Sequence, residues 1–426
     1  MIKFVKTRWK HSFLILSKGR YPLLKLFNTL GKRLEVFKAP KGEVVNIFTC
    51  GPSVYQRSHI GNFRTFLFED LLLRYLEYQG YRVNRGMNFT DVEDKAIEEA
   101  KKRNLTVRDL TQGNIRGFLK EMALLRIKIP DYLPHASKTV NEAVEIIEKL
   151  LDLKIAYWHK GNVYFDPLKY PRFGELFGLS MSRWPKQRRR FHKDTYPGMR
   201  WNLGDFILWH GGQKAGSVYW KTRIGKGRPS WNIQDASMII KHIAKPLSIY
   251  CGGIDNLYRH HDYTRAILES VRPYPMAPFW LHCHHLVVNG QKMSKSLGNI
   301  YYTDTVLNQG YDISELRFFL LYGHYRKKLD YSKEAMDVAA AKLRQLKEKV
   351  RFVERRGQQA NGGKTNAEEM EQLFIRRMDN DLNLQGAFDG LREFLTKIDV
   401  ESLKPEVASG YVKILRGIDK VLRVIF

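Results

Sequence analysis

The sequence predicts an α/β protein with a doubly wound parallel sheet, an insertion, and an all-α C-terminal helical domain. Three observations indicate this fold: a strand–loop–helix–strand succession near the N-terminus, apolar strand signals that return in mid-chain, and helical periodicity after Ser314. The chain has 426 residues, a length that suggests about three domains. With 43% hydrophobic and 12% aromatic residues it can bury sizeable cores, which excludes disorder of the whole chain.

The first unit of the sheet is predicted at residues 44–87. Residues 44–49 are a β-branched apolar run that ends at Cys50, as a strand entering a loop does. A helix follows, because apolar side chains recur at helical spacing on one face: Phe63, Phe66, Leu67, Leu71 and Tyr75. Gly80 closes this helix, and residues 81–87 alternate as a second strand. In such a βαβ unit the first loop lies at the carboxyl end of the strand, where ligands bind.

The remaining elements follow in chain order: helices at residues 107–127 and 138–155, strands at 162–166, 247–250 and 279–288, and a helix at 333–354. They group into six predicted segments: a basic N-terminal extension (1–22), the first half of the sheet domain (23–170), an insertion (171–230), the second half (231–312), connecting helices (313–355) and a C-terminal helical domain (366–426).

The chain carries a large positive charge. Lys and Arg number 72 against 44 Asp and Glu, which gives a formal net charge of +28. Such an excess indicates a polyanionic partner, although a generally basic proteome would also produce it. The first 40 residues hold ten Lys or Arg and one acid, Glu35, as a nucleic-acid-binding arm or a targeting peptide would. We favour the arm, because no cleavage signal is evident.

The cysteine content and the hydropathy of the sequence bear on the cellular compartment of the protein. Three cysteines, Cys50, Cys251 and Cys283, imply no disulfide framework, so a reducing, cytoplasmic environment is expected. The longest apolar runs fall far short of the ~20 residues that a membrane-spanning helix needs. We therefore expect no membrane association.

A first chemical motif, Ser58-His59-Ile60-Gly61-Asn62, lies where the first loop turns into the helix. A helix start offers free N–H groups and the positive end of the dipole, and Gly61 lets a phosphate approach the backbone. His59 and Asn62, three residues apart, can face one ligand. Alone, the pattern is more typical of an ordinary helix cap with a surface histidine.

A second motif, Lys292-Met293-Ser294-Lys295-Ser296, is more specific. Two lysines three residues apart on a loop flanked by Ser and Gly form a mobile, doubly positive element. It is able to neutralise charge that develops on a pyrophosphate leaving group. A solvated basic loop is the alternative, but the first motif on the other half of the sheet argues against it.

Together, these two motifs resemble the paired signatures of class I aminoacyl-tRNA synthetases, and the surrounding sequence resembles cysteinyl-tRNA synthetase. The similarity extends over these stretches: 24–37, 49–55, 59–65, 88–95, 227–238, 252–261, 292–299 and 378–387. The resemblance implies a Rossmann-type catalytic domain that binds ATP with Mg²⁺ and an amino acid. It also implies an aminoacyl-adenylate intermediate and transfer to tRNA, with cysteine as the default amino acid.

The resemblance also assigns roles to residues. His59 and Asn62 would contact the phosphates beside Gly61, although many class I enzymes have a second histidine where this chain has Asn62. Gly253 and Asp255 would bind the adenosine, and Lys292 and Lys295 would stabilise the transition state. The implied amino-acid pocket consists of Cys50, Ser53, Trp231, Asp235, His260 and Thr264.

The implied zinc site departs from the family pattern. Relatives hold zinc with two cysteines, a histidine and a glutamate, and the matching positions here are Cys50, Asp235, His260 and Thr264. Cys50, Asp235 and His260 can still form a tetrahedral site with an open fourth position, but a carboxylate in place of a thiolate weakens the preference for zinc and sulfur. We favour loss of the metal, with Asp235 and His260 simply hydrogen-bonded or ion-paired. Asp235 could instead contact a substrate amine or hydroxyl directly.

The C-terminal region leaves the acceptor open. In typical relatives an anticodon-reading module follows the helical domain, and this sequence ends at Phe426, where that module would begin. The acceptor is therefore tRNA or another RNA, or a small amine as in the mycothiol-pathway cysteine ligases. A third alternative is a non-catalytic RNA-binding paralogue, which would not need Lys292 and Lys295. The charge of +28 favours nucleic acid.

Overall fold

The structure, a computed structural model, describes residues 23–39, 43–179, 205–212, 218–243, 245–358 and 368–426. The predicted basic extension at residues 1–22 and the basic run of the insertion at residues 183–193 lie outside these ranges. None of the helices in the described ranges has the length and apolarity that a bilayer crossing requires.

The strands are β1 Lys25–Asn28, β2 Arg33–Val36, β3 Val44–Thr49, β4 Arg82–Met87, β5 Ala156–His159, β6 Asn162–Phe165, β7 Phe206–Gly211, β8 Trp220–Thr222, β9 Gly225–Pro229, β10 Ile249–Gly253, β11 Phe279–Cys283, β12 Leu286–Val288, β13 Gln291–Lys292 and β14 Leu329–Tyr331. The helices are α1 Ile60–Tyr78, α2 Asp94–Lys102, α3 Val107–Leu124, α4 Val140–Asp152, α5 Trp231–His242, α6 Ile254–Asn256, α7 Asp262–Val271, α8 Thr303–Leu307, α9 Ile313–Tyr322, α10 Lys333–Gly357, α11 Glu368–Met378, α12 Leu384–Thr396 and α13 Pro405–Leu422.

The central sheet is parallel and has the strand order β11-β10-β3-β4. The first half of the chain builds β3, α1 and β4, as the sequence predicted, and the second half returns on the other side of β3 with β10 and β11. The strand order therefore reverses between β3 and β10. In open α/β sheets, ligands bind outside the carboxyl ends of the strands at such a switch point.

Helix α1 is buried along most of its length because it packs on the sheet on one side and on α9 and α13 on the other. Gly80 follows it with a φ of +86°, a left-handed conformation that glycine adopts without strain. Arg317 of α9 is buried and donates to Asp70 Oδ2 of α1 at 2.6 Å and to the Leu422 carbonyl of α13 at 2.8 Å. These bonds attach the C-terminal helices to the sheet domain.

A second, antiparallel sheet has the order β5-β6-β7-β9-β8. Strand β6, predicted at residues 162–166, pairs here with β7 rather than with the parallel sheet. Strand β9 leads directly into α5, whose first residue is Trp231. The antiparallel sheet thus positions the start of α5 beside the switch point. The division of the chain into the six segments stays a prediction.

Candidate active site

A cleft opens at the carboxyl ends of the parallel strands. Cys50 follows β3, Gly253 ends β10 and Cys283 ends β11, and all three line the cleft. The same walls include most of the residues that the sequence nominated: Ser53, His59, Gly61, Asn62, Trp231, Asp255 and Lys292. The two distant motifs therefore share one cavity at the topological switch point.

His59 and Asn62 hold each other at the start of α1. The His59 backbone N–H donates to Asn62 Oδ1 at 3.0 Å, and His59 Nδ1 accepts from the Asn62 backbone N–H at 3.3 Å. Because Nδ1 is an acceptor, the proton of the neutral ring lies on Nε2. Burial lowers the pKa of His59 to about 4. At neutral pH the ring therefore offers a hydrogen bond and no charge.

Gly61 brings the two motifs into contact. A Cβ at this position would lie 2.5 Å from Met293 Cε, so a side chain here would have to push the tip of Met293 aside. Met293 is buried, whereas Lys292 and Lys295 on either side of it are exposed. Met293 thus anchors the loop while its lysines remain in solvent.

The two lysines lie in different places. Lys292 lines the cleft, and Lys295 begins a single turn of 3₁₀ helix, Lys295–Leu297, outside the walls. The charge of Lys295 contributes to lowering the pKa of Glu99 on α2, after the larger effect of the Arg103 hydrogen bond. Lys295 therefore lies close enough to α2 for its charge to act on Glu99.

The end of the cleft at the start of α1 continues at Gly253 and Asp255. A Cβ on Gly253 would lie 2.5 Å from Asp255 Oδ1, so a side chain there would displace the carboxylate. Asp255 is exposed to the cleft and its charge opposes the lowering of the pKa of His59. The structure therefore brings the predicted phosphate and ribose residues to one wall.

Three candidate metal ligands meet beneath the other end of the cleft. Their ligand atoms, one each from Cys50, Asp235 and His260, all lie within 4.8 Å of one another. Asp235 Oδ2 accepts from the Tyr250 hydroxyl at 2.6 Å and lies 3.0 Å from His260 Nε2. Asp235 and His260 are completely buried, which places them below the cleft surface that Cys50 and Trp231 form.

Trp231 and Thr264 complete the predicted pocket. The indole of Trp231 stacks on the ring of His260, with centroids 3.7 Å apart and planes 14° apart. Thr264 Oγ1 donates to the His260 carbonyl at 2.9 Å, one turn back in its own segment. Thr264 carries none of the groups that usually bind zinc in proteins, which are thiolate, imidazole and carboxylate. It therefore does not replace the glutamate of the family pattern.

Electrostatics at Cys50 oppose an isolated thiolate. Burial raises the pKa of the Cys50 thiol well above its usual value, and the charge of Asp235 raises it further. A hydrogen bond from Asn256 Nδ2 to Cys50 Sγ, 3.3 Å long, acts in the opposite direction. A cation bound between these groups would reverse the balance, because coordination deprotonates a thiol outright.

The three residues fit a divalent metal ion. Among the described residues, Asp235 Oδ1 and His260 Nδ1 are buried polar side-chain atoms without a hydrogen-bond partner. A thiolate, a carboxylate and an imidazole are all zinc ligands, and three protein ligands with a fourth position open toward a cleft are typical of a site that binds substrate. The same pairing of Asp235 with His260 is also what the metal-free alternative predicted, so the geometry accommodates both.

Sequence inspection missed several residues of the cleft. Arg57 lines it and forms ion pairs with Glu121 and Asp304 at 2.5 and 2.8 Å, and Asn256 lines it in contact with Cys50. Lys95 also contributes to the walls. Arg57 directly precedes the first motif and Lys95 ends the similar stretch at residues 88–95, and that proximity was the available signal.

Comparison with known proteins agrees with this geometry. A family model described as the class I (C) tRNA synthetase catalytic domain matches residues 36–341. The cysteine–tRNA ligase of Chlamydia muridarum is 36% identical over 422 residues, which cover 94% of this chain and 88% of that protein. The chain belongs to the cysteine–tRNA ligase family. The family enzyme of Protochlamydia amoebophila is 31% identical, over 94% of this chain and 86% of that protein.

A solved structure shares the fold at low identity. Mycobacterium tuberculosis methionyl-tRNA synthetase in complex with methionyl-adenylate superposes with a TM-score of 0.64 and 14% identity, and the match covers 90% of each chain. This likeness supports the Rossmann-type catalytic fold alone. The predicted fold class and the predicted membership of the cysteine–tRNA ligase family are thus confirmed.

Proposed function

We propose that this member of the cysteine–tRNA ligase family activates cysteine with ATP and transfers the cysteinyl group to tRNA. One observation carries the proposal. The cleft that holds His59, Asn62 and Lys292 at one end has Cys50 at the other, directly above Asp235 and His260. A triphosphate and a small thiol amino acid can therefore lie end to end in one cavity.

The phosphate end would bind ATP, expected as its Mg²⁺ complex. At the start of α1 the Ile60 N–H donates to the Tyr301 carbonyl and the Asn62 N–H to His59. The Gly61 N–H, which lines the cleft at the positive end of the helix dipole, is therefore the backbone donor left for a phosphate. His59 Nε2–H and the Asn62 amide N–H add neutral donors, because the other polar atoms of both side chains bond to each other's backbone. Asp255 would accept from a ribose hydroxyl.

The reaction would proceed in two displacements. A carboxylate oxygen of the amino acid attacks the α-phosphorus, the bond from that phosphorus to the bridging oxygen of the β-phosphate breaks, and pyrophosphate leaves with the electron pair. Lys292 and Lys295 would stabilise the negative charge that develops on this leaving group. A ribose hydroxyl of the acceptor then attacks the carbonyl carbon, the mixed anhydride breaks, and AMP leaves as the hydroxyl proton is released.

The amino-acid end would select the side chain. Cys50, Asp235 and His260 would hold a zinc ion, which supplies a Lewis acid for the substrate thiolate when bound. Trp231 would form an aromatic wall of the pocket, held in place by stacking on His260. Tyr250 and His260 fix the Asp235 carboxylate in place.

The acceptor would be tRNA, because the formal charge of +28 suits a phosphate-rich partner. Each phosphate contact releases counterions, so the affinity is expected to fall steeply with salt. A flat salt dependence of acceptor binding would instead favour a small amine.

The experiment that tests the proposal is ATP–pyrophosphate exchange across all standard amino acids, followed by charging of tRNA with the amino acid that responds. Cysteine is expected to support exchange. Exchange with another amino acid alone, such as serine, would assign a different substrate to the altered donor set. No exchange with any amino acid would overturn the enzymatic proposal and favour an RNA-binding paralogue.

A further inference from the structure

Asn256 contacts the sulfur of Cys50 from the cleft side. It ends the short helix α6 directly after Asp255, and its Nδ2 donates to Cys50 Sγ at 3.3 Å. The side chain is half-buried and lines the same cleft as Cys50. The two residues are 206 positions apart, so the contact depends on the pairing of β3 with β10.

The sulfur of Cys50 is held on several sides. A Cβ on Gly252 would lie 3.2 Å from Cys50 Cβ, so the strand β10 packs tightly behind the side chain. The Cys50 backbone N–H donates to the Cys251 carbonyl at 2.9 Å, which fixes the main chain. The amide of Asn256 then fixes the remaining freedom, the direction in which the sulfur points.

The chemistry of the donor set makes this contact consequential. Cys50 provides the one thiol among the three clustered ligands, since Asp235 and His260 supply oxygen and nitrogen. Thr264 adds no thiolate, imidazole or carboxylate to the set. Soft-metal preference at this site therefore depends on a single sulfur. Hydrogen bonds from neighbouring groups orient ligands and tune a metal centre, and their loss typically costs about 10- to 100-fold in metal affinity.

We propose that Asn256 is a positioning residue of the metal centre: its amide N–H aims Cys50 Sγ at the position between Asp235 and His260 and supports it as a thiolate ligand. This inference rests on the proposed metal site, and it goes beyond the ligands themselves. An amide suits the role because it stays neutral and keeps its donor at every pH, whereas a charged donor would compete with the metal for the sulfur.

Zinc affinity of the full-length protein, measured by competition with a chromophoric chelator, tests the proposal. Asn256→Ala and Asn256→Leu are expected to weaken zinc binding by about 10- to 100-fold, and Asn256→Leu keeps most of the side-chain volume. Asn141→Ala, the same loss of an amide at an exposed position of α4, is the matched control and is expected to leave zinc affinity unchanged. Thermal unfolding of the metal-free proteins verifies that the variants fold.

A spectroscopic readout separates hydrogen bonding from a general loss of structure. Cobalt(II) bound to a thiolate gives a sulfur-to-metal charge-transfer band, and a hydrogen bond to the sulfur lowers the energy of its lone pair. Removal of the Asn256 amide is therefore expected to shift this band to longer wavelength in both variants. An unshifted band together with unchanged zinc affinity would overturn the role of Asn256.

The outcomes distinguish this inference from the proposed function. If the wild-type protein binds neither zinc nor cobalt, both the metal site and the role of Asn256 fail. If it binds zinc and the variants bind it equally well, only the role of Asn256 fails. If the variants bind zinc weakly but the wild type shows no cysteine-dependent exchange, the role of Asn256 stands while the proposed activity fails.

Discussion

The two ends of the cleft are built in different ways. At the phosphate end, Lys292 and Lys295 are exposed, and His59 and Asn62 depend mainly on each other. At the amino-acid end, Asp235 and His260 are wholly buried and joined to each other and to Tyr250. Side chains at the phosphate end therefore contribute little to folding stability, whereas those at the amino-acid end contribute to stability and to substrate binding together. A substitution at the phosphate end is expected to change mainly the reaction rate. A substitution at the amino-acid end is expected to change both the free energy of unfolding and the preference for the amino acid.

The largest expected effect is at the phosphate end. Lys295→Ala is expected to lower amino-acid-dependent ATP–pyrophosphate exchange by about 10²-fold or more, because a charge partner of the transition state is lost. Since Lys295 is exposed, the free energy of unfolding is expected to change by less than about 0.5 kcal/mol. Lys149→Ala, at an exposed position of α4, controls for loss of a charge. An unchanged exchange rate would remove Lys295 from the mechanism.

At the amino-acid end, by contrast, a substitution is expected to lower the free energy of unfolding substantially. Asp235→Ala leaves the buried Tyr250 hydroxyl and the His260 ring without their shared partner, which is expected to cost about 3 kcal/mol of unfolding free energy in urea titrations. Asp152→Ala at an exposed helix end is the control. Asp235→Cys is expected to raise zinc affinity, because a soft ligand is restored. Unchanged stability in Asp235→Ala would contradict the proposed difference, because the amino-acid end would then contribute no more to folding stability than the phosphate end does.

The pH dependence of stability sharpens the comparison, since the two ends are expected to respond with opposite signs. At the amino-acid end, Glu93 bonds to Ser53 of the predicted pocket, and burial raises the pKa of Glu93 to about 7. This group therefore contributes stability that is fully present below about pH 4.5 and is lost as pH rises through about 7. The pKa of His59 is lowered to about 4, so the folded state loses stability as pH falls from about 6.5 toward 4.

Urea unfolding between about pH 7.5 and about pH 5 measures both effects. As pH falls, the wild type is expected to gain stability over Glu93→Gln, by at most about 1.4 kcal/mol per pH unit. Over the same range it is expected to lose stability relative to His59→Asn. Parallel curves for wild type and Glu93→Gln would show that Glu93 titrates normally.

The smallest effect is expected at Asn62. Asn62→His is expected to change the exchange rate by less than about tenfold, because a ring nitrogen can accept from the His59 backbone N–H as Asn62 Oδ1 does while the other donates to phosphate. Asn62→Ala removes both functions and serves as the comparison. A large loss in Asn62→His would show that the phosphate end is as interlocked as the amino-acid end.

Much of the fold was predictable because its signals are local. The helical spacing from Phe63 to Tyr75 predicted α1, and the apolar runs predicted β3 and β10, since each depends on neighbours within one element. Strand β6 shows the limit. Its alternation indicated a strand, but its pairing with β7 in an antiparallel sheet depends on residues more than forty positions away.

The candidate site divides in the same way. The two motifs follow from residue identity and spacing, and the resemblance that they carry implied the family and the candidate zinc ligands. Three contacts could not be predicted in this way: Met293 with Gly61, Asn256 with Cys50, and Thr264 with the His260 carbonyl. Sequence periodicity specifies which face of an element is buried. Only the packing of distant elements decides which polar atoms meet there, because that meeting depends on strand register and on space left by glycines.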